Sequence, residues 1–150
     1  MSENDLRKLI KFVQLSEEDL DLIVRNIIFL FPEHPELHSR IYEAWKELRP
    51  RMRDMADYLM KVYPRDLVER GLTGEQLDLE ISLYKVRRNE FRRDLGFIEK
   101  FRPLKALKKL RRSGCLLLDS IQTILESLCF IPSCEAIRQF KDVLKNAICE

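Results

Sequence analysis

Only four glycines, at positions 71, 74, 96 and 114, occur among 150 residues. A phosphate-cradling loop needs several glycines close together, so counting alone excludes it. No Gly-x-Ser-x-Gly sequence is present either, which removes the strained nucleophile turn of the α/β hydrolases. Histidine is scarcer still, at two residues. His34 and His38 stand four apart in Glu33-His34-Pro35-Glu36-Leu37-His38, a spacing that can place two imidazoles on one helix face. The metalloprotease pattern needs Glu directly after the first His, however, and Pro35 stands there with no third ligand in view. Surface or capping histidines are the expectation, and no metal is expected.

Long apolar runs are also missing. The most apolar stretch, 113–131, is interrupted by Asp119, Gln122 and Glu126, and each acid would cost about 2.5–3.5 kcal/mol near a bilayer centre. A buried helix accounts for it better than a membrane span. The opening Met1-Ser2-Glu3-Asn4-Asp5 is acidic and polar, without the basic-then-apolar order of a secretory signal, so a cytoplasmic protein is expected.

The four cysteines, Cys115, Cys129, Cys134 and Cys149, are separated by 13, 4 and 14 residues. Those spacings do not build paired Cys-x-x-Cys knuckles, and neither histidine is near them, so a structural zinc site is not expected. A Cys129–Cys134 disulfide across Pro132 is geometrically conceivable. In an intracellular chain, free and mostly buried thiols are the better expectation. No cysteine has a histidine neighbour to make it a nucleophile. Carboxylate pairs such as Asp78 with Glu80, or Asp54 with Asp57, arise from composition alone. Neither a catalytic residue nor a cofactor is assigned.

What the chain has in abundance is helix-forming sequence, with 45% apolar and 35% charged residues. A short helix is expected around Asp5 to Val13. Ser16 then reads as a helix cap, with Asp19 at the third helical position and Leu15 stapling onto Leu20, and the stripe Leu20, Ile23, Val24, Ile27, Ile28 ends near Phe31. Pro35 suits the first turn of a helix carrying Leu37, Ile41, Trp45 and Leu48. Pro50 predicts a kink or break at 49–50, before a second stripe of Met52, Met55, Leu59 and Val62.

The segment 64–73 reads as a linker and internal hinge. Thr73 with Gln76 forms a capping box, opening the longest predicted helix, Gly74 to Phe101, on the stripe Leu77, Ile81, Tyr84, Phe91, Leu95 and Ile98. Pro103 opens another helix continuing to Leu128, Pro132 stops it, and Ser133 caps the last helix. No strand is expected. The fold expected is all-α, a single-domain antiparallel bundle of six or seven helices over residues 1–150.

Charge is distributed unevenly along this bundle. Residues 85–112 contain 12 of the 27 Lys and Arg and only three of the 25 acids, so the segments 1–84, 85–112 and 113–150 carry −5, +9 and −2. On a helical wheel Lys85, Arg88, Arg92, Arg93 and Lys100 share an arc of about 140°, with Glu90 and Asp94 on the far side. Lys105, Lys108, Lys109, Arg111 and Arg112 cover a similar arc on the next helix, and Phe101-Arg102-Pro103 joins the two. Together these eleven residues are the candidate binding surface.

Two uses of such a block compete. Its charges either form a solvated face paired to the acidic N-terminal half, or attract a polyanion such as an acidic protein, a nucleic-acid backbone or an anionic membrane. Phe91, Phe97 and Phe101 are candidates for stacking on bases, but Phe91 belongs to the core stripe. Residues 113–131 hold only two charges among 19, which reads as the centre of the core or as surface buried against another subunit. The function expected is a non-enzymatic, self-associating interaction or adaptor module whose basic surface meets an acidic partner. The alternative is a nucleic-acid-binding accessory protein using the same helices.

Overall fold

The Ser2 hydroxyl accepts a hydrogen bond from the Asp5 amide at 3.0 Å and starts the first helix, α1, Glu3–Arg25. Glu3 and Asp5 in its first turn favour the positive end of the helix dipole. In the computed structural model four further helices follow: α2, Ile27–Leu30; α3, Pro35–Lys61; α4, Gly74–Phe101; and α5, Leu104–Glu126. The structure describes residues 2–63, 72, 74–101, 104–128, 138–140, 142–145 and 149, with backbone only at 99 and 101. Residues 138–140 and 142–145 are helical too, and no strand occurs among the described residues. The fold is the expected all-α helical bundle.

Two expected boundaries are absent. α1 runs through Ser16, which is buried and donates its hydroxyl hydrogen to the Val13 carbonyl at 3.0 Å. The reason is phase: Leu6, Leu9, Val13, Leu20 and Ile23 form one unbroken buried stripe. Continuing the helix buries that whole stripe, whereas a cap at Ser16 would satisfy only local amides. The chain stops instead at Asn26, whose side-chain amide donates to the Leu22 carbonyl at 2.8 Å. Likewise α3 does not break at 49–50. Pro50 lies inside it and is solvent-exposed, so water can satisfy the carbonyl that lacks its usual amide partner.

α4 has the bounds expected from its stripe. Its first residue, Gly74, has φ +56°, a left-handed conformation that penalises any residue with a Cβ, and its amide donates to Asp5 Oδ2 at 3.3 Å. The capping Thr73 and the hinge at 64–73, Leu72 apart, lie outside the described residues, as do the expected stops and caps at Pro103, Pro132 and Ser133.

Side-chain pairings fix the helix directions. Glu17 meets Arg49 and Arg53 while Asp21 meets Trp45, so α1 and α3 run antiparallel. Arg87 meets Leu116 and Ser120 while Asp94 meets Lys109, so α4 and α5 do the same. Lys8 pairs with Asp78 and Asp19 with Arg88, which makes α1 and α4 parallel neighbours, as alternating up-and-down helices require.

One core cluster fills the interior, with Phe12, Ile23, Ile41, Leu59, Tyr84, Phe91, Leu117 and Ile124 all buried. The C-terminal residues close it: Phe140 packs its ring 5.3 Å from Trp45, Leu144 is buried, and Lys145 pairs with Asp119 at 3.2 Å. Leu117, Leu118, Ile121, Ile124 and Leu125 are buried as well. The apolar 113–131 stretch is therefore core within its described part. Cys115 and Cys149 form a disulfide, 34 residues apart in sequence. This corrects the expectation of free thiols: spacing considerations saw only the near pair, whereas the last helix returns along α5 and brings the outermost two together. Cys129 and Cys134 lie outside the described residues.

Candidate functional site

The candidate basic residues are used in different ways, the first of them at Asp19. This carboxylate is 1% exposed. It accepts from Arg88 Nε at 2.8 and 3.0 Å, from Arg92 Nη2 at 2.8 Å, and from the Tyr84 hydroxyl. Tyr84, Arg88 and Arg92 stand four residues apart on α4, so successive turns deliver all three to one α1 carboxylate. Phe12 packs edge-on against Tyr84, with ring centroids 4.9 Å apart.

Burial, reinforced by the Asp19 charge and hydrogen bond, pushes the Tyr84 hydroxyl far above its usual range. For Arg88, burial works against the charged form, but its hydrogen bond to Asp19 and that carboxylate's charge together prevail and raise its pKa. Asp19 is thus not a capping residue. Arg88 and Arg92 cross-link α4 to α1 through this carboxylate, Arg88 half-buried and Arg92 still exposed.

The same internal use recurs beside it. Arg49 donates to Glu17 at 2.9 Å and to Asp21 at 3.2 Å, Arg53 donates to Glu17 at 2.8 Å, and Arg25 pairs with Asp21 at 2.8 Å. A cleft of about 410 Å³ opens over these groups, but each named guanidinium on its wall already has a carboxylate. Arg111 is taken in a third way. It donates to the Leu30 carbonyl at 2.6 Å, pairs with Glu33, and lies 5.0 Å over the Phe31 ring. The hydrogen bond from Arg111 holds the Glu33 carboxyl below its ordinary range.

Lys85, Arg93, Lys100, Lys105, Lys108, Lys109 and Arg112 are all exposed, while Arg102 lies outside the described residues. Arg93 from α4 and Lys105 and Lys109 from α5 converge on a groove of about 460 Å³, with Phe97 and Ala106 among its walls. That volume is in the range of ligand-sized clefts. Phe97 is 49% exposed, and Ala106 is buried.

Asp94 also lines this groove, with Arg93 Nε 3.6 Å and Lys109 Nζ 3.8 Å from its carboxylate. The wheel placed Asp94 on the far side, away from the cations. Antiparallel packing of α5 brings Lys109 to it, and the long Arg93 side chain reaches its neighbour in sequence, neither of which a single-helix projection contains. Three cations against one carboxylate leave the groove positive.

The histidines do not converge. His34 Nδ1 is 3.1 Å from Glu36, and His38 Nε2 is 2.9 Å from the Phe31 carbonyl. Among the described residues no cluster of three or more His, Cys, Asp or Glu has metal-binding geometry, and no helix is long and apolar enough to cross a membrane. Comparison with protein-family models, with curated proteins and with solved structures finds no match.

Proposed function

We propose that this chain is a non-enzymatic helical interaction module that holds an acidic partner protein in the groove between α4 and α5. One observation carries the reading: Arg93, Lys105 and Lys109 ring a concave site with apolar Phe97 and Ala106 in its walls and only Asp94 opposing them. Cations at the rim of an apolar depression suit a segment with an aliphatic or aromatic anchor flanked by Asp or Glu. The charge steers the encounter, and the anchor supplies contact area.

Nucleic acid is the second reading, because the half-exposed Phe97 ring between cations also offers a stacking surface for a base. Fluorescence anisotropy separates the two, with a labelled peptide alternating Glu and Leu and a labelled single-stranded oligonucleotide titrated against the full chain. Peptide binding without oligonucleotide binding is the expected result. An oligonucleotide that binds with a slope of about −0.7 per phosphate on a log-log salt plot, while the peptide does not, replaces the acidic-protein reading with the nucleic-acid one.

A further inference from the structure

The sequence expectation of self-association rested on the C-terminal hairpin, whose described apolar residues are instead in the core. Other apolar side chains are exposed on α4. Leu79, Leu83, Val86 and Phe97 are 71%, 40%, 54% and 49% exposed. On a helical wheel these four residues share an arc of about 60°, which also contains Glu90, and Glu75 and Arg93 lie at its edge. Leu79, Leu83 and Val86 make one exposed apolar patch, with Glu90 and Arg93 between it and Phe97, and exposed apolar patches mark interaction surfaces.

Its two ends are chemically complementary. Towards the N-terminus, Leu79, 71% exposed, is flanked by Glu75 and Glu80. Towards the C-terminus, Phe97 and Arg93 form the wall of the groove that Lys105 and Lys109 complete. An acidic segment with an aliphatic anchor therefore lies on the same helix as the site suited to receive one. The centres are 18 residues apart, about 27 Å at 1.5 Å per residue. A two-fold axis beside residue 88 would place Leu79 of each copy against Phe97 of the other, in the self-complementary manner of an isologous dimer.

We infer that the acidic partner is a second copy of this chain, bound antiparallel along α4. Leu79 of each copy occupies the groove of the other, with Glu75 and Glu80 against Lys105 and Lys109. This inference rests on the groove being the docking site, and it names the occupant.

Sedimentation of the full chain over a concentration series tests it. The wild type is expected to dimerise. Leu79→Asp and the pair Lys105→Glu/Lys109→Glu are each expected to weaken the dimer at least about tenfold, near 1.4 kcal/mol. Combining Lys105→Glu/Lys109→Glu with Glu75→Lys/Glu80→Lys is expected to restore it, an outcome that mere misfolding cannot produce. A wild-type monomer at every concentration, or a dimer indifferent to Leu79→Asp, overturns the inference. If the monomer still captures the Glu/Leu peptide, the groove reading stands and only the second copy is excluded; if it captures nothing, both fall.

Discussion

Asp19 of α1 and Arg88 of α4, 69 residues apart in sequence, meet with Arg88 Nε at 2.8 Å from one carboxylate oxygen and 3.0 Å from the other. The pair ties together parallel helices that share no connection. Removing one partner of a buried pair leaves the other charge uncompensated, which costs roughly 3–5 kcal/mol. Asp19→Ala is expected near the lower end, about 3 kcal/mol, because Arg88 and Arg92 keep some contact with water. Urea denaturation measures it, and a loss below about 1 kcal/mol would show that the knot is replaceable.

Tyr84 gives the knot a pH signature. In the folded state its hydroxyl stays protonated well above pH 10, whereas in the unfolded chain it ionises near pH 10. A raised folded-state pKa contributes stability that is complete below the unfolded value and declines as pH rises beyond it. Above pH 10 the wild type should therefore lose up to about 1.4 kcal/mol per pH unit through this group. Tyr84→Phe should lack that component, so the stability difference between the two proteins should narrow steadily from pH 10 to 11.5 in denaturant titrations.

Pro50 offers the opposite prospect. It sits in a continuous, exposed stretch of α3, where proline is about 3 kcal/mol less favourable than alanine. Pro50→Ala should raise stability by about 1–3 kcal/mol, read from the denaturation midpoint. A fall in stability would mean that the proline's restriction of the unfolded chain outweighs the missing hydrogen bond.

The Cys115–Cys149 disulfide closes 34 residues of sequence, and chain entropy alone assigns such a loop about 4 kcal/mol. Cys149→Ser should lower stability by about 2–4 kcal/mol under non-reducing conditions and have little further effect once reductant is added. Acid-quenched alkylation and mass measurement of protein taken from cells reports the native state of the two thiols. A closed bond would argue against the cytoplasmic setting expected from the sequence, since such bonds persist in oxidising compartments.

Helices held by their own periodicity were legible in the sequence. The bounds of α4 match those read from its capping box and the Leu77 to Ile98 stripe, and the apolar faces of α1, α3 and α5 lie where the three-and-four spacing puts them, Leu104 excepted, which is exposed. The internal ends of α1 and α3 were not. A cap signal at Ser16 and a break signal at Pro50 are local preferences, and each yields when an in-phase apolar stripe on both sides can be buried by continuing the helix.

The candidate site was legible as charge but not as geometry. Pairing Arg88, Arg92 and Arg111 with α1 and the Leu30–Glu33 segment, and leaving Arg93, Lys105 and Lys109 to line the groove, depends on which helix lies opposite. The clue available beforehand was Asp19, an acid in the middle of an apolar stripe, which requires a buried cation from elsewhere.

Whether the groove itself binds, and not simply the protein's overall charge, is decided by comparing two variants of equal charge in the peptide titration. Lys105→Glu/Lys109→Glu alters the groove, while Lys85→Glu/Arg112→Glu reverses two exposed charges that do not line it. The groove variant should lose at least about tenfold in affinity and the control should stay within about twofold. Equal losses in both would contradict a defined docking site and leave only a diffuse positive face.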